Sequence, residues 1–531
     1  MTLNEMPQRL MNLLCTGLMS AGLLVVPVPA MASTVADFES VTGSFPGTAS
    51  GPSTTQFNTR EWSSTGDGDH AVIMNDAAHA AINDYLQLVP ETGSERNTIA
   101  FDLTDPGLYQ KITVSYDFRI TNTTGNPADG LGMSLLSTAN HGTSGDGASL
   151  AQFGAPADSL NLGLDDYNNG AAAPHFDPSN NHAEVGYDGA ASLAVSNITA
   201  FSLYSGDWHH AEATFEYVSG GTAVTLVITP DAYGSPGAPV TVFDKALIAG
   251  VLPYEARIAF GAGTGGSDAT HDIDNVNAVF DTNGKGFNYV TDFSAAIASD
   301  FTFNHSGDAT PTGLVTSGAT YIHLTDADND ERGSAWYNTK QSVRDGFVTE
   351  FTLDMPTTNG TSGADGMGFV IQNIGTGVNT TETGPGANAF TIEFDSYDNG
   401  DAANEPSSAH ITLWAGGADV LTYDLATSSL SINDLSNSGP HDVRVEYFNG
   451  EITLYFDDVK VIDGFAVDLA AIGAMDAGGQ SWVGFVSRTG GANEEHNVLS
   501  WAFVSAVPEP STFAMLGLAG LGLIRRRRDI A

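Results

Sequence analysis

At 531 residues the chain exceeds what one hydrophobic core normally sustains, so two domains are expected. The composition is 15% charged and 41% hydrophobic, with aromatic and β-branched residues recurring among abundant Gly, Thr, Ser, Asn and Asp; it excludes a disordered chain and suits short strands joined by polar loops. The net charge is −45, and four of the 18 basic residues are Arg525 to Arg528, so the body repels phosphate backbones and nucleic-acid binding is excluded, while dense Asp suits Ca²⁺.

Residues 1–32 carry Arg9, an apolar run from Leu10 to Val26, and a stretch from Pro27 that ends in the small-x-small pattern Ala30-Met31-Ala32. This predicts a secretory signal peptide cut after about Ala32. Cys15 lies inside it, so the mature chain has no disulfide framework.

The interior repeats. A first copy carries Ala128-Asp129-Gly130, then Asp165-Asp166-Tyr167-Asn168-Asn169, then Asp177-Pro178 with His182, and finally Thr264-Gly265-Gly266 with His271. A second copy has, in the same order, Ala364-Asp365-Gly366, Asp395-Ser396-Tyr397-Asp398-Asn399, Glu405-Pro406 with His410, and Thr489-Gly490-Gly491 with His496. Segments between these landmarks alternate with period two, as in Phe390 to Asp395, Val443 to Tyr447 and Ile452 to Phe456, which predicts strands with one buried face. Without long helical patterns, the expected class is all-β: two tandem antiparallel β-sandwiches, separated by a turn near Gly284 to Gly286. His209 and His210 read as an edge-strand pair, His271 and His496 as parts of closing strands, and Asp326 to Asp330 as a turn.

Alternate side chains of a strand share a face, so Glu393 and Asp395 point the same way. With Asn399, Glu405 and His410 they form a set of oxygen ligands and one imidazole, suited to Ca²⁺ beside a transition ion such as Mn²⁺. The other reading of the segment is a polar loop whose Asp and Asn residues only make turns.

The C-terminus reads Val507-Pro508-Glu509-Pro510, then an apolar stretch from Thr512 to Ile524, then Arg525 to Arg528. This resembles the PEP-CTERM sorting signal. The resemblance implies a Gram-negative bacterium, an exosortase-type processing enzyme, and a membrane contact made only transiently through this segment. The protein is then exported to the cell surface or the extracellular matrix.

The order Ala-Asp-Gly, Glu-x-Asp-x-Tyr-x-Asn, acidic-Pro, His and Thr-Gly-Gly resembles the L-type, or legume-type, lectin domain, whose fold is the concanavalin A-like jelly roll. Leu324 to Ala327, Gly333 to Tyr337 and Gly368 to Asn373 extend the likeness in the second copy. The implied organisation is a signal peptide at 1–32, a divergent lectin-like domain at 33–284, a second at 285–505 and the sorting signal at 506–531. The resemblance implies a non-enzymatic, Ca²⁺-dependent carbohydrate-binding protein whose partner is a glycan or exopolysaccharide. Glu393, Asp395, Glu405 and His410 would hold a transition ion, and Asp395, the Tyr397 carbonyl, Asn399 and Glu405 would hold Ca²⁺. Glu405 departs from the family's Asp and stands one residue later than the common spacing. In the first copy Asp165, Tyr167, Asn169, Asp177 and His182 correspond, but Gly163 replaces the leading Glu, so Ca²⁺ alone is implied there. Asp129 and Asp365, each after a cis peptide in the family, would accept sugar hydroxyls. Asn169 and Asn399 would donate to the sugar, Tyr167 and Tyr397 would lie against its apolar face, and the loop of Gly384 and Gly386 would offer a backbone N–H. Two alternatives differ in class: a structural or adhesive matrix protein with decayed sugar sites, and a laminarinase-type glycoside hydrolase. The hydrolase would need paired carboxylates, but Asp398 has the wrong strand parity to pair with Glu393.

Overall fold

A computed structural model describes residues 38, 71–123, 125–145, 156–170, 177–296, 299–307, 312–357, 363–400 and 405–508, with the backbone of strands Ala32–Ala36 and Phe57–Glu61. The expected signal peptide up to Met31, with Cys15, and the sorting segment beyond Pro508 lie outside the described residues. The chain is all-β: four antiparallel sheets form two sandwiches, both within the compact unit Ser33–Ala531. Among the described residues the α-helical segment is Thr138–His141.

In the N-terminal sandwich one sheet is ordered Val240–Ala249, Gly221–Thr229, His209–Val218, Lys111–Thr121, Thr270–Asp281, Asn83–Val89, Val72–Asp76. The other is ordered Ala190–Asn197, His182–Tyr187, Leu160–Asp165, Gly130–Ser137, Ala256–Gly263, Arg96–Phe101, Phe57–Glu61. The C-terminal sandwich repeats both orders strand for strand. Its first sheet is Val459–Ala466, Glu451–Phe456, His441–Phe448, Phe347–Asp354, His496–Ser505, Ala319–Thr325, Gly313–Ser317. Its second is Ala418–Asp424, His410–Ala415, Ala389–Asp395, Gly366–Gln372, Gln480–Arg488, Arg332–Tyr337, Phe301–Ser306. The added strands correspond as well, Ala32–Ala36 pairing with Thr270–Asp281 as Gly286–Tyr289 pairs with His496–Ser505. A duplication first visible as four landmarks therefore extends through the main strand order of all four sheets, and the short strand Gln341–Ser342, paired with Gln480–Arg488, is an addition of the C-terminal sandwich.

Each sandwich closes over its own apolar core, drawn from both of its sheets. Lys111–Thr121 and His441–Phe448 alternate between buried and more open positions, as one-faced strands should. Ala389–Asp395 does not. All seven of its residues are buried, as are those of Gly366–Gln372, Leu160–Asp165 and Gly130–Ser137. The expectation of a single buried face for Phe390 to Asp395 is therefore corrected. The segment 373–388 covers the second face: the Val378 carbonyl accepts the Trp336 indole N–H and the Ser334 hydroxyl, both at 2.7 Å, and the Glu382 carbonyl lies 2.4 Å from where a Cβ on Gly368 would stand. Thr391, Glu393 and Asp395 look polar in sequence because they face this covering segment rather than the core.

His209 and His210 also depart from expectation, since their strand is interior and pairs on both sides. His210 Nδ1 is 2.7 Å from Asp117, and His209 packs between the rings of Phe118 and Phe201. His271 and His496 do lie in the closing strands.

Leu108, Tyr217, Val348, Ala502, Val504 and Ala506 form a small apolar cluster that joins the two sandwiches. The Asn288 side chain bonds the Leu108 N–H and carbonyl, and Arg444 Nη2 donates to the Pro253 carbonyl at 2.7 Å while its other nitrogens hold Glu350 and Glu446. Val507 pairs with Val218 in a parallel bridge, so the chain leaves the described structure at this junction.

Candidate functional site

The landmarks gather at one end of the second sheet in each sandwich. Asp395 pairs with His410 on one side and Gly366 on the other, and Asp165 pairs in the same way with His182 and Gly130. Asp365 and Asp129 each follow a cis peptide, from Ala364 and Ala128. Gly366 and Gly130 next to them have φ of 137° and 127°, and a Cβ on Gly366 would stand 2.4 Å from the Phe394 carbonyl, so the site needs glycine there.

Ligand atoms of Asp395, Glu405 and His410 lie within 4.8 Å of one another, and those of Asp165, Asp177 and His182 do the same. The loops differ in length but converge. Asn169 N–H donates to Asp177 and Asn399 N–H to Glu405, each at 2.5 Å. The longer Glu side chain makes the same contact across a loop two residues shorter. His410 Nδ1 is 2.7 Å from the Ser407 carbonyl, and His182 Nδ1 is 2.8 Å from that of Ser179. A carbonyl only accepts, so Nδ1 carries the proton and Nε2 presents its lone pair to the cluster, the arrangement of a metal-binding imidazole.

Electrostatics favour a cation. Burial, then the charge of Glu393, pushes the Asp395 carboxyl up to about 10, against the opposing Tyr397 N–H. Glu393 rises to about 8 through burial and its acidic neighbours, although the Trp414 indole donates to it at 2.6 Å. Burial also raises Asp165 to about 9. The Asp165 Oδ2 and His182 Nε2 atoms are buried without hydrogen-bond partners. Carboxylates so placed cannot all ionise without added positive charge, and the residues fit a divalent cation.

Asp365 Oδ2 lies 2.8 Å from Arg488 Nε, which is also 3.0 Å from Glu382. Burial raises the Asp365 carboxyl while Arg488 and His496 draw it down; in the first copy, burial and then Asp166 raise Asp129 to about 6. Glu382 places the Gly384 and Gly386 loop beside Asp365. Gly384 N–H donates to the Thr381 carbonyl at 2.9 Å, leaving Gly386 as the better backbone donor. Tyr397 and Tyr167 are half-buried with their N–H groups on Asp395 and Asp165, and Asn399 and Asn169 are exposed. Asn399 Nδ2 is 3.2 Å from Glu405.

Sequence reasoning missed Arg488, Glu382 and a buried acid–histidine pair in each copy. His271 Nε2 is 3.4 Å from Asp166, and His496 Nε2 is 3.3 Å from Glu494. The acid comes from different segments: Asp166, just after its strand, occupies the position of Ser396, whereas Glu494, just before its strand, occupies that of Ala269. Side-by-side comparison of the copies holds this signal, but as two separate mismatches whose spatial connection the sequence does not show.

The C-terminal sandwich has the legume lectin fold. Residues 284–514 match the legume lectin domain and residues 506–528 the PEP-CTERM protein-sorting motif, while the N-terminal sandwich has no assigned family. Similar solved structures include a lectin from Bauhinia forficata in complex with GalNAc, 22% identical over 41% of this chain and 96% of that one, with a TM-score of 0.32. Lectin I from Ulex europaeus, with the methyl glycoside of α-L-fucose, is 18% identical over 41% and 96%, TM-score 0.33. The exoplasmic/lumenal domain of VIP36 in a Ca²⁺- and Man2-bound form is 13% identical over 43% and 91%, TM-score 0.31. No curated protein matches the chain.

Proposed function

We propose that this is an exported, non-enzymatic carbohydrate-binding protein with two tandem lectin-like domains, 33–284 and 285–505, that acts on glycan or exopolysaccharide at the cell surface or in the surrounding matrix. The observation that carries the reading is the junction, on one sheet end, of Asp365 with the cluster of Asp395, Glu405 and His410. The legume lectin match over 284–514 and the sorting motif over 506–528 support it. An exosortase-type enzyme would process the tail.

In the C-terminal domain Asp395, the Tyr397 carbonyl, Asn399 and Glu405 would hold Ca²⁺, with Glu393, Asp395, Glu405 and His410 around a transition ion such as Mn²⁺. The cations would neutralise the buried carboxylates and fix the loop that carries Tyr397 and Asn399. Asp365 would accept sugar hydroxyls, Gly386 or Gly384 and Asn399 would donate to them, and Tyr397 would cover the apolar face of the ring. Asp129, Tyr167 and Asn169 would do the same in the N-terminal domain, beside a cation held by Asp165, Asp177 and His182.

A glycan array probed with the mature protein, with and without EDTA, tests this reading. Binding that EDTA abolishes and Ca²⁺ restores is expected, and with the N-terminal sugar site disabled by Asp129→Ala, Asp365→Ala should remove the remainder. Unchanged binding after both substitutions would refute the assignment, metal-independent silence would favour a matrix scaffold, and released reducing ends would point to a hydrolase.

A further inference from the structure

Gly163 takes the place of the leading Glu in the first copy, and the N-terminal cluster is thereby one carboxylate short on its own strand. The pairing register shows what replaces it. Gly163 pairs with Glu184 as Glu393 pairs with Thr412 in the other sandwich. Directly paired residues of antiparallel strands project to the same face, so Glu184 shares a face with Asp165 and His182, one step along the sheet. The carboxylate stands on the neighbouring strand, directly opposite Gly163.

Glu184 has the surroundings of a ligand. It is 3% exposed; the Ser192 hydroxyl, on an irregularly paired stretch of the next strand, donates to Oε2, and Oε1 is buried without a partner. Asp165 Oδ2 and His182 Nε2 are likewise buried without a hydrogen-bond partner, His182 Nε2 standing 3.7 Å from Asp177. Glu393 is held in the same manner, one oxygen accepting the Trp414 indole N–H. Glu184 lies near enough for its charge to act on Asp165, and that of Asp177 to act on it. The buried acid–histidine pairs also differ in which segment supplies the acid, with Asp166 and Ala269 in one copy answered by Ser396 and Glu494 in the other.

We propose that Glu184 completes a transition-metal site in the N-terminal sandwich, with Asp165, Asp177 and His182, so that both sandwiches hold a Mn²⁺-class ion rather than the C-terminal one alone. Three carboxylates and one imidazole are a donor set for such an ion rather than for Ca²⁺ by itself. This rests on the reading above that these sheet ends bind metal.

The test is Mn²⁺ uptake by the full mature chain, followed by electron paramagnetic resonance titration and by metal analysis, in wild type, Glu184→Gln, Glu393→Gln and the double variant. Each single variant is expected to lose one Mn²⁺ equivalent and the double variant both. Wild-type uptake by Glu184→Gln alongside a loss in Glu393→Gln would overturn the role of Glu184 and leave the metal reading standing. No uptake of Mn²⁺ or Ca²⁺ by any form would overturn both. Should Glu184→Gln fail to fold, Gly163→Glu/Glu184→Thr, which copies the C-terminal arrangement, carries the test: full Mn²⁺ uptake supports the exchange of strands, and loss of one equivalent overturns it.

Discussion

Asp365 is flanked by a cation of the protein itself, Arg488, whose Nε reaches both Asp365 and Glu382. The equivalent residue of the first copy is Gly263, so the two proposed sugar sites are not electrostatically alike. Without the guanidinium, two partly buried carboxylates would face each other and turn away from the productive orientation. Arg488→Met is therefore expected to weaken glycan binding by the C-terminal domain about tenfold, about 1.4 kcal/mol, with the N-terminal domain unaffected; calorimetry with domain-selective variants would check this. Arg488 was not legible as a functional residue, because it ends a strand a long way in sequence from Asp365 and only the pairing of Gly366 with Arg488 brings them together.

At the scale of elements, Val72–Asp76 is held to its sheet by a polar node. Asp76 accepts from the Trp208 indole at 2.9 Å and from Arg119 Nη1 at 2.8 Å, with His79 Nδ1 at 3.0 Å, while Arg119 lies over the rings of Tyr85 and Trp208. Burial alone would raise the Asp76 carboxyl, but the bonds from Trp208 and His79 outweigh it and hold the group at about 2. A carboxylate lower in the folded than in the unfolded chain adds stability above its unfolded value, near 4, and loses it as the pH falls through its folded value. Solvent reaches the node and screens it, so it should contribute about 1 kcal/mol above about pH 4 and lose it between about pH 4 and pH 2. Asp76→Asn is expected to lower stability at neutral pH and flatten that acid-side slope, measured as denaturant midpoints of metal-free protein across the range. Strand alternation and the landmark order were readable locally; the burial of Ala389–Asp395 on both faces was not, because it depends on a covering segment with no periodicity of its own.

For the whole molecule, the junction between sandwiches combines a small apolar cluster with Arg444, which ties Glu350 and Glu446 to the Pro253 carbonyl. Arg444 is partly exposed, so its loss should cost about 1 kcal/mol rather than the larger figure of a fully buried pair. Arg444→Ala is expected to split a shared calorimetric unfolding transition into two, one per sandwich, and a single unchanged transition would show that the apolar cluster suffices.

The sequence by itself determined the all-β class and the duplication, because period-two alternation and repeated turn chemistry are local properties of the chain. It also marked the metal and sugar candidates, which sit at strand ends in a fixed order. What only the tertiary structure decided was which acids share a place. Glu184 beside Gly163 is set by register across strands and Asp166 beside His271 by the packing of one sheet on the other, both long-range relations that no local pattern of the chain records, while Glu494 stands only two residues from its histidine.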